Sequence, residues 1–415
     1  MSFKFKPRVF DIEREAMGRI GGRFEEIDRV AELGTRKVLE AFHAHRVSDT
    51  FFAGTTGYGY NDRGRDALDS ICAHIFGAGA GLFRINLISG THAITAALFG
   101  ALRPGQTLLY ATGRPYDTLL GVIGATGERH GSLKFYGVDY RETDMTPDGR
   151  PDYAAISDAA RDKSVGVVAI QRSRGYATRK SLTVAEIGRI AETVRRANPD
   201  AVIFVDNCYG EFVEATEPIE AGADLVAGSL IKNPGGGLAP SGGYIAGRPE
   251  LVENAAMRMT VPGIGGEAGA SLGNNRLLYQ GLFMAPHTTA QALKTSVFCA
   301  ACMEIMGFPT NPPALAPRTD IIQMVELGEP DALIRFCRGI QKGGPVDAFA
   351  TPEPAYMPGY DDDVIMAAGS FIQGASIELS ADGPMRPPYA AYMQGGLTFE
   401  SGKLGILSAV NELLI

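Results

Sequence analysis

The sequence predicts an α/β fold in which a large domain with a mostly parallel sheet is followed by a smaller α+β domain. From about residue 65, short apolar, β-branched runs alternate with helical segments, which is the order of βαβ units. These runs are apolar on both faces, as expected for strands of a parallel sheet that helices cover on each side. Clustered prolines in residues 309–320 precede a different pattern in residues 318–415, which indicates a second domain.

We expect the chain to divide into three parts. Residues 1–55 form an N-terminal helical segment that packs on the small domain or on a neighbouring subunit. Residues 56–285 form the large domain, and residues 286–415 form the C-terminal domain. A chain of 415 residues is long enough for two or three domains with cores of their own.

Composition and charge are those of an ordinary globular protein. Hydrophobic residues make up 45% of the chain, and the net charge of −8 disfavours binding to nucleic acid or to an anionic membrane. The sequence shows no secretory signal and no apolar run of about 18 residues, so we expect a cytoplasmic protein. Five cysteines, an odd number, fit a reducing compartment, and core packing is favoured over a metal site for Cys299 and Cys302.

The elements of the N-terminal segment and of the large domain follow from periodicity. Apolar residues recur at helical spacing over residues 8–50 and predict one or two amphipathic helices. Further helices are predicted over residues 91–103 and 182–197. Seven apolar runs predict the strands, namely FRINLISG, QTLLYATG, SLKFYGVD, VGVVAIQRS, AVIFVDNCYG, ADLVAGSLIK and GGYIAG.

The C-terminal domain is predicted to be more mixed. A helix over residues 288–307 follows the glycine-rich residues 261–281, and residues 309–320 are expected to be a linker. A last helix closes the chain. Four runs predict strands, namely DIIQMVEL, VDAFATPE, DVIMAAGSFI and ASIELSAD.

Polar residues follow four of the apolar runs of the large domain. Ligands of open α/β sheets bind outside the carboxyl ends of the strands, so we expect these residues to mark a site. They are Asp206 after AVIFV, Ser229 and Lys232 after ADLVAG, Ser89-Gly90-Thr91 after FRINLI, and Tyr116 after QTLLYATG.

The chemistry of these residues indicates a site for pyridoxal phosphate. A Ser-Gly-Thr turn that opens a helix offers backbone N–H groups to a phosphate, although by itself the turn is more simply explained by Ser89 or Thr91 as a plain helix cap. Lys232 lies among apolar residues, and burial there would lower its pKa and favour Schiff-base chemistry. Asp206 ends the preceding strand, where a carboxylate would pair with the cofactor's ring nitrogen.

The strings AVIFVDNCYGEF and GADLVAGSLIKNPGGGLAPSGGYIAG resemble the Cys/Met-metabolism branch of fold-type I pyridoxal phosphate enzymes. Together with QGLFMAPH and APRTDIIQ, they are similar to the methionine gamma-lyase-like family often labelled aluminium resistance protein. The resemblance covers essentially the whole chain. It implies the aspartate aminotransferase-like fold, with pyridoxal 5'-phosphate as cofactor.

The resemblance also implies roles for residues around the cofactor. Lys232 would be the Schiff-base lysine and Asp206 the partner of the ring nitrogen. Tyr116 would lie over the cofactor and take part in catalysis, or would merely fill space. Ser89, Gly90, Thr91 and Ser229 would hold the phosphate.

Three further assignments rest on looser matches. Tyr60 and Arg63 match a segment that reaches the phosphate of a neighbouring subunit, and Arg65 is an equal candidate. This implies a homodimer or homotetramer with shared active sites. Arg386 would bind the substrate carboxylate, or would form a surface ion pair. The segment QRSRGYATRKSL lacks the Asn-Pro motif with which the better-known lyases contact the ring hydroxyl of the cofactor. Ser173, Arg174 or Tyr176 would make that contact instead, and Arg174 is also a candidate for binding the substrate.

The activity implied is that of a carbon–sulfur lyase. It would act on a sulfur-containing amino acid, as cystathionine beta-lyases and methionine gamma-lyases do, and release a thiol, a 2-oxo acid and ammonia. Three alternatives stay open: γ-replacement, transamination, and a pyridoxal phosphate-binding metal-stress protein with little turnover. A nicotinamide-binding Rossmann domain is disfavoured because no G-x-G-x-x-G follows an early strand.

Overall fold

The computed structural model describes residues 3–127, 130–177, 179–357 and 362–414. The chain forms two compact units. One unit comprises Arg36–Phe283, and the other comprises Met1–Thr35 together with Met284–Ile415. No helix among the described residues is long and apolar enough to cross a membrane.

The unit of Arg36–Phe283 contains a seven-stranded sheet. Its strands are β1 Ala80–Arg84, β2 Thr107–Tyr110, β3 Asp139–Glu142, β4 Val165–Gln171, β5 Val202–Asp206, β6 Leu225–Ser229 and β7 Gly243–Gly247. They are ordered β1-β7-β6-β5-β4-β2-β3. All neighbouring pairs are parallel except those of β7, which runs antiparallel to both β1 and β6. The carboxyl ends of the other six strands therefore meet at one edge of the sheet.

Helices alternate with these strands, as the sequence predicts. They are α1 Pro7–Ala44, which begins in the other unit, α2 Arg63–Phe76, α3 Gly90–Ala101, α4 Asp117–Ile123, α5 Tyr153–Ala160, α6 Val184–Ala197 and α7 Pro249–Met259. A buried cluster joins strand residues such as Leu108, Val167 and Phe204 to Ala97 of α3 and Ala255 of α7. The strands are thus covered by helices, which explains their apolar character.

The other unit contains a five-stranded antiparallel sheet. Its strands are β8 Thr310–Asn311, β9 Gln323–Glu326, β10 Val364–Ala368, β11 Ser380–Pro384 and β12 Ala390–Gln394, in the order β10-β11-β12-β9-β8. The helices are α8 Asn275–Ile305, which begins in the first unit, α9 Pro330–Gly343 and α10 Phe399–Leu413. Cys299 and Cys302 are fully buried in α8 as free thiols.

Several element predictions need correction. The run SLKFYGVD contains a 3-10 helix at Lys134–Tyr136, and the strand is the polar Asp139–Glu142 that follows. This strand lies at the edge of the sheet with mostly exposed residues, so it lacks the apolar pattern used for prediction. The run FRINLISG also misplaces its strand, because β1 ends at Arg84.

The remaining corrections concern the C-terminal part. VDAFATPE (346–353) contains no strand. Residues 309–320 are not a linker, because they include β8, and both Arg318 and Asp320 are buried within the unit. Helix α8 begins at Asn275, well before the predicted position, and continues through Pro286. Strands β8 and β12 were not predicted.

Candidate active site

Asp206 and Ser229 lie where the sequence predicts, at the carboxyl ends of the neighbouring strands β5 and β6. Asp206 pairs with Gln171 of β4 on one side and with Ala227 of β6 on the other. Asp206 and Ser229 are both buried. Lys232 lies three residues after the end of β6 and is partly buried.

Ser89, Gly90 and Ser229 meet beside the start of α3. The Ser89 hydroxyl accepts a hydrogen bond from the His92 backbone N–H at 3.1 Å, so Ser89 caps the helix. A Cβ on Gly90 would lie 2.9 Å from the Ser229 Cβ, which explains why only glycine fits there. Helix α3 therefore presents its N-terminal N–H groups beside a buried serine, an arrangement that suits an anion.

Thr91 and Tyr116 belong to two neighbouring helix starts. The hydroxyls of Thr91 and Thr118 lie 3.5 Å apart. The Tyr116 N–H donates to Gln171 Oε1 at 2.7 Å, which ties the residue to the end of β4. Its ring lies beside Gly175, because a Cβ there would be 3.2 Å from the Tyr116 ring. Tyr116 is thus fixed at the same edge of the sheet as Asp206.

The Lys232 amine lies over the ring of Tyr209, with Nζ 3.6 Å from the ring centroid. Burial lowers the pKa of Lys232, but the neighbouring Cys208, Tyr209 and Asp206 outweigh burial and raise the pKa above its ordinary value. At neutral pH the Cys208 thiol is uncharged, so Asp206 is the neighbour that supplies negative charge. The expectation that burial alone would lower this pKa is therefore wrong. In the absence of a bond to its nitrogen, Lys232 is an ammonium.

Burial shifts the pKa of the Asp206 carboxyl in the direction opposite to that for Lys232. Burial raises the pKa of its carboxyl above the ordinary value, although Lys232 and a hydrogen bond from the Cys208 N–H at 3.1 Å favour the carboxylate. A buried carboxylate of this kind is stable only beside a cation. A protonated ring nitrogen would supply that cation.

Comparison with known proteins assigns the chain to a family. The family described as methionine gamma-lyase matches residues 9–414. The chain belongs to the methionine gamma-lyase family.

Individual proteins show the same relationship. The uncharacterized protein YnbB of Bacillus subtilis is 54% identical over 401 residues, which are 96% of this chain and 95% of YnbB. A carbon–sulfur lyase involved in aluminium resistance from Clostridium novyi NT is 47% identical with a TM-score of 0.96, covering 99% of this chain and 97% of that chain. The pyridoxal-5'-phosphate-dependent protein YhfS of Escherichia coli shares only the fold, with 19% identity and a TM-score of 0.62 over 92% of this chain and 95% of that chain. The fold is that of fold-type I pyridoxal phosphate enzymes.

Membership of the methionine gamma-lyase family implies pyridoxal phosphate, and the residues present fit it. Gly90 and Ser229 lie close together, so the backbone N–H groups at the start of α3 and the Ser229 hydroxyl could bind the same phosphate. Asp206 would suit the ring nitrogen, and Lys232 would supply the amine for the aldehyde. Among the described residues, no group of three or more His, Cys, Asp or Glu could hold a metal ion.

The segment of residues 171–182, where the sequence leaves the ring contact open, is held by Arg179. Its guanidinium donates to the carbonyl oxygens of Gln171 at 2.9 Å and Ser173 at 2.7 Å, and its charge favours the Asp206 carboxylate. Arg174 is buried, and its N–H donates to the Ser181 hydroxyl at 3.2 Å. Tyr176 is partly buried. Arg179 is a contributor to the site that the sequence alone does not single out.

A second unforeseen group lies beneath the turn after β5. The Arg172 side chain is fully buried and donates to Asn207 Oδ1 and Glu214 Oε1, each at 2.8 Å. Its backbone N–H donates to the Asp206 carbonyl at 3.1 Å. A Cβ on Gly210 would lie 2.5 Å from the Arg172 side chain. The only signal in the sequence is a cation directly after an apolar strand, which does not by itself predict burial.

Glu211 belongs to the same buried group. Tyr244 donates its hydroxyl to Glu211 Oε1 at 2.9 Å and accepts from Asn207 at 3.2 Å. Burial raises the pKa of Glu211 to about 8, and Glu217 adds to the shift, while Tyr244 and Lys232 oppose it. Glu211 is therefore largely protonated at neutral pH.

Of the two arginines proposed to reach a neighbouring subunit, only Arg63 is exposed. All five N–H donors of Arg65 are used within its own chain, on Asp66 and on the carbonyl oxygens of Gly59, Glu267 and Gly269. The Arg63 guanidinium lies 5.6 Å from the ring centroid of Phe51. Tyr60 is half exposed and stacks on Tyr58 at a centroid distance of 5.5 Å.

Arg386 lies in the other unit, in the turn between β11 and β12. Its guanidinium pairs with Asp362 at 2.9 Å, and about half of its side chain is exposed. The substrate-carboxylate role of Arg386 stays a prediction.

Proposed function

We propose that this protein is a pyridoxal phosphate-dependent carbon–sulfur lyase that acts on a sulfur-containing amino acid. The substrate class is that of cystathionine beta-lyases and methionine gamma-lyases. Membership of the methionine gamma-lyase family supports the proposal. The observation that carries it is the interaction between the Lys232 amine, which follows β6, and the buried carboxyl of Asp206 at the end of the adjacent parallel strand β5.

Each residue around the cofactor has a separate task in this proposal. The backbone of Gly90 and Thr91 and the hydroxyls of Ser89, Thr91 and Ser229 would hold the phosphate. Asp206 would keep the ring nitrogen protonated, and in return that cation would stabilise the buried carboxylate. When bound, pyridoxal phosphate supplies an electron sink that makes the α-proton of an amino acid removable.

Lys232 and Tyr116 would move protons. The Lys232 amine, once free and neutral, would accept the α-proton of the substrate as general base. Tyr116 donates a proton to the departing sulfur, so the C–S bond breaks to give a thiol. One water molecule is consumed as the remaining carbon skeleton becomes a 2-oxo acid and ammonia.

The test is a product assay on the full-length protein with pyridoxal phosphate. Cystathionine and methionine are supplied separately, and thiol, 2-oxo acid and ammonia are measured. We expect the three products in equal amounts from at least one substrate. Formation of ammonia without thiol would contradict the proposal, because the C–S bond would then be intact. A thiol that appears only with an added nucleophile would identify γ-replacement.

Matched lysine variants complete the test. Lys232→Ala should lower kcat by at least about a thousandfold and abolish the Schiff-base absorption band, because it removes both the attachment point and the general base. Lys134→Ala changes an exposed lysine and should leave both unchanged. Survival of the band in Lys232→Ala would refute the assignment.

We further propose that Tyr60 and Arg63 complete the site of a neighbouring subunit in a homodimer or homotetramer. Support comes from their exposure on a segment that hydrogen bonds hold firmly. Gly269 donates its N–H to the Tyr58 carbonyl at 2.9 Å, and Leu272 donates to the Thr55 carbonyl at 3.0 Å. A fixed backbone would present these two side chains outward in a constant position.

A further inference from the structure

Tyr209 touches the reacting atom of Lys232, although it was not expected in the site. The Lys232 Nζ lies 3.6 Å from the centre of the Tyr209 ring. An ammonium over an aromatic face is attracted by the ring quadrupole, most strongly where water is excluded.

The backbone of Tyr209 is held in an unusual conformation. Its φ of 72° lies in the left-handed region, which bulky residues rarely adopt. Such conformations persist where surrounding contacts impose them, and they cluster at functional sites. The contact that imposes the left-handed conformation of Tyr209 comes from Asn233.

Asn233, the residue directly after Lys232, holds the turn that carries Tyr209. It is fully buried, and its Nδ2 donates to the carbonyl oxygens of Tyr209 at 3.0 Å and Glu211 at 2.9 Å. The segment that bears the lysine thus fastens the segment that bears the ring. The relative position of amine and ring is therefore fixed from both sides.

The other titratable groups that face the amine are Cys208, Asp206 and Glu211. Burial raises the pKa of the Cys208 thiol well above its ordinary value, and the pKa of Glu211 is about 8, so both are largely uncharged at neutral pH. Asp206 also faces the amine, and its contribution is the same in every variant of Tyr209. A difference between such variants therefore reports the contact between the amine and the Tyr209 ring face.

We propose that Tyr209 is a positioning residue for Lys232. Its ring face holds the free amine in place as an ammonium, until the amine loses its proton and can act as a base. The inference deepens the proposed function, in which the amine is free each time a substrate displaces it from the cofactor. A held amine stays beside the position of the α-proton and cannot swing into solvent.

The test weakens the ring quadrupole without changing the shape of the side chain. Full-length protein freed of cofactor is prepared with Tyr209→Phe and with Tyr209→trifluorophenylalanine, since fluorine withdraws charge from the ring face. Each is treated at pH 8 with a limiting amount of an amine-reactive anhydride, and labelling of the Lys232 peptide is followed by mass spectrometry. Only the neutral amine reacts, so the labelling rate reports how far the ammonium is stabilised.

We expect the trifluoro variant to label at Lys232 several-fold to about tenfold faster than Tyr209→Phe, which corresponds to a pKa lower by up to about one unit. Tyr209→Phe keeps the ring and should stay within about threefold of the wild type. Equal rates of Lys232 labelling in the two variants would overturn the proposal.

Two controls separate this result from general damage and from the proposed function. Labelling of the exposed Lys134 in the same samples should not change. The same fluorinated replacement at Tyr153, whose ring faces Arg189 at 4.0 Å, should leave Lys232 labelling at the wild-type rate. Because no cofactor or substrate is present, the outcome is independent of whether the protein is a lyase.

Discussion

The surroundings of Lys232 in one unit and the turn of Arg386 in the other differ in the number of contacts that hold them. Around Lys232, Asp206 is buried and Tyr209 is fastened by Asn233. Arg386 has an ion pair with Asp362 and is half exposed. Burial and multiple contacts restrict a residue to one geometry, whereas an exposed ion pair contributes only about 0–1 kcal/mol. The geometry therefore supports the role proposed for the surroundings of Lys232, whereas the role proposed for Arg386 rests on resemblance.

The strongest test of the buried region is Asp206→Ala. We expect kcat to fall by about a hundredfold or more, because a preorganised charge that stabilises the ring cation is lost. Steady-state kinetics with excess pyridoxal phosphate measure this loss. Asp200→Ala, in the exposed turn before β5, is the control and should retain wild-type kcat. A kcat within threefold of the wild type for Asp206→Ala would remove this carboxylate from the proposed site.

Glu211→Gln tests whether the group beneath the site carries a proton. The pKa of Glu211 is raised from 4.5 to about 8 in the folded protein. Between these values the unfolded chain has released the proton and the folded protein has kept it, so stability falls as pH rises through this window. Glutamine cannot ionise. The difference in free energy of unfolding, variant minus wild type, should therefore rise by roughly 2 to 4 kcal/mol between pH 5 and pH 8.

Urea unfolding of both proteins at several pH values measures this gain. Glu192→Gln, an exposed residue of α6, serves as the matched control and should follow the wild-type pH profile. A constant difference between Glu211→Gln and the wild type across the window would show that Glu211 is ionised in the folded protein.

Arg386→Ala addresses the less firmly held region. If Arg386 binds the substrate carboxylate, KM should rise by about tenfold or more with little change in stability, since a charge-assisted hydrogen bond is lost. Kinetics and thermal melting together measure both. Arg161→Ala removes another exposed ion pair, with Asp158, and should leave KM unchanged. An unchanged KM for Arg386→Ala would limit Arg386 to its pairing with Asp362.

The smallest effect on stability is expected at Arg63. Arg63→Ala should change the free energy of unfolding by less than about 0.5 kcal/mol, because the side chain is exposed, while lowering affinity for pyridoxal phosphate. Arg65→Ala is the contrast: it should cost about 2–3 kcal/mol, since buried carbonyl oxygens lose their donors. Urea unfolding and cofactor titration distinguish the two.

Subunit exchange then tests sharing directly. Mixing inactive Lys232→Ala with Arg63→Ala protein should restore some activity, because a mixed assembly contains sites with both residues intact. Absence of recovery after demonstrated exchange would contradict a shared site.

Much of the candidate site could be predicted because its residues follow strands. Asp206 and Ser229 end apolar runs whose burial is evident from composition, and parallel strands bring their carboxyl ends to one edge. Tyr209 and Arg179 could not be predicted in the same way. A tyrosine over an amine, or an arginine that holds carbonyl oxygens of residues earlier in the chain, depends on side-chain directions that sequence spacing does not specify.

The fold shows the same division. Buried strands β4, β5 and β6 have continuous apolar runs, whereas the edge strand β3 reads Asp-Tyr-Arg-Glu and was misplaced. The side chains of an edge strand can be exposed to water, so the strand does not have to consist of apolar residues. The very short β8 has only two residues and offers too few positions for a period.

The sequence by itself determined the family resemblance, the α/β class, and the lysine and aspartate of the proposed cofactor site. These depend on local order and on burial, which residue types record directly. Only the tertiary structure decided that Arg65 is committed to its own chain while Arg63 is exposed, and that Lys232 is an ammonium over the Tyr209 ring. The reason is that hydrogen-bond partners and charge neighbours come from residues distant in the chain, and their identity is fixed only when the backbone brings them together.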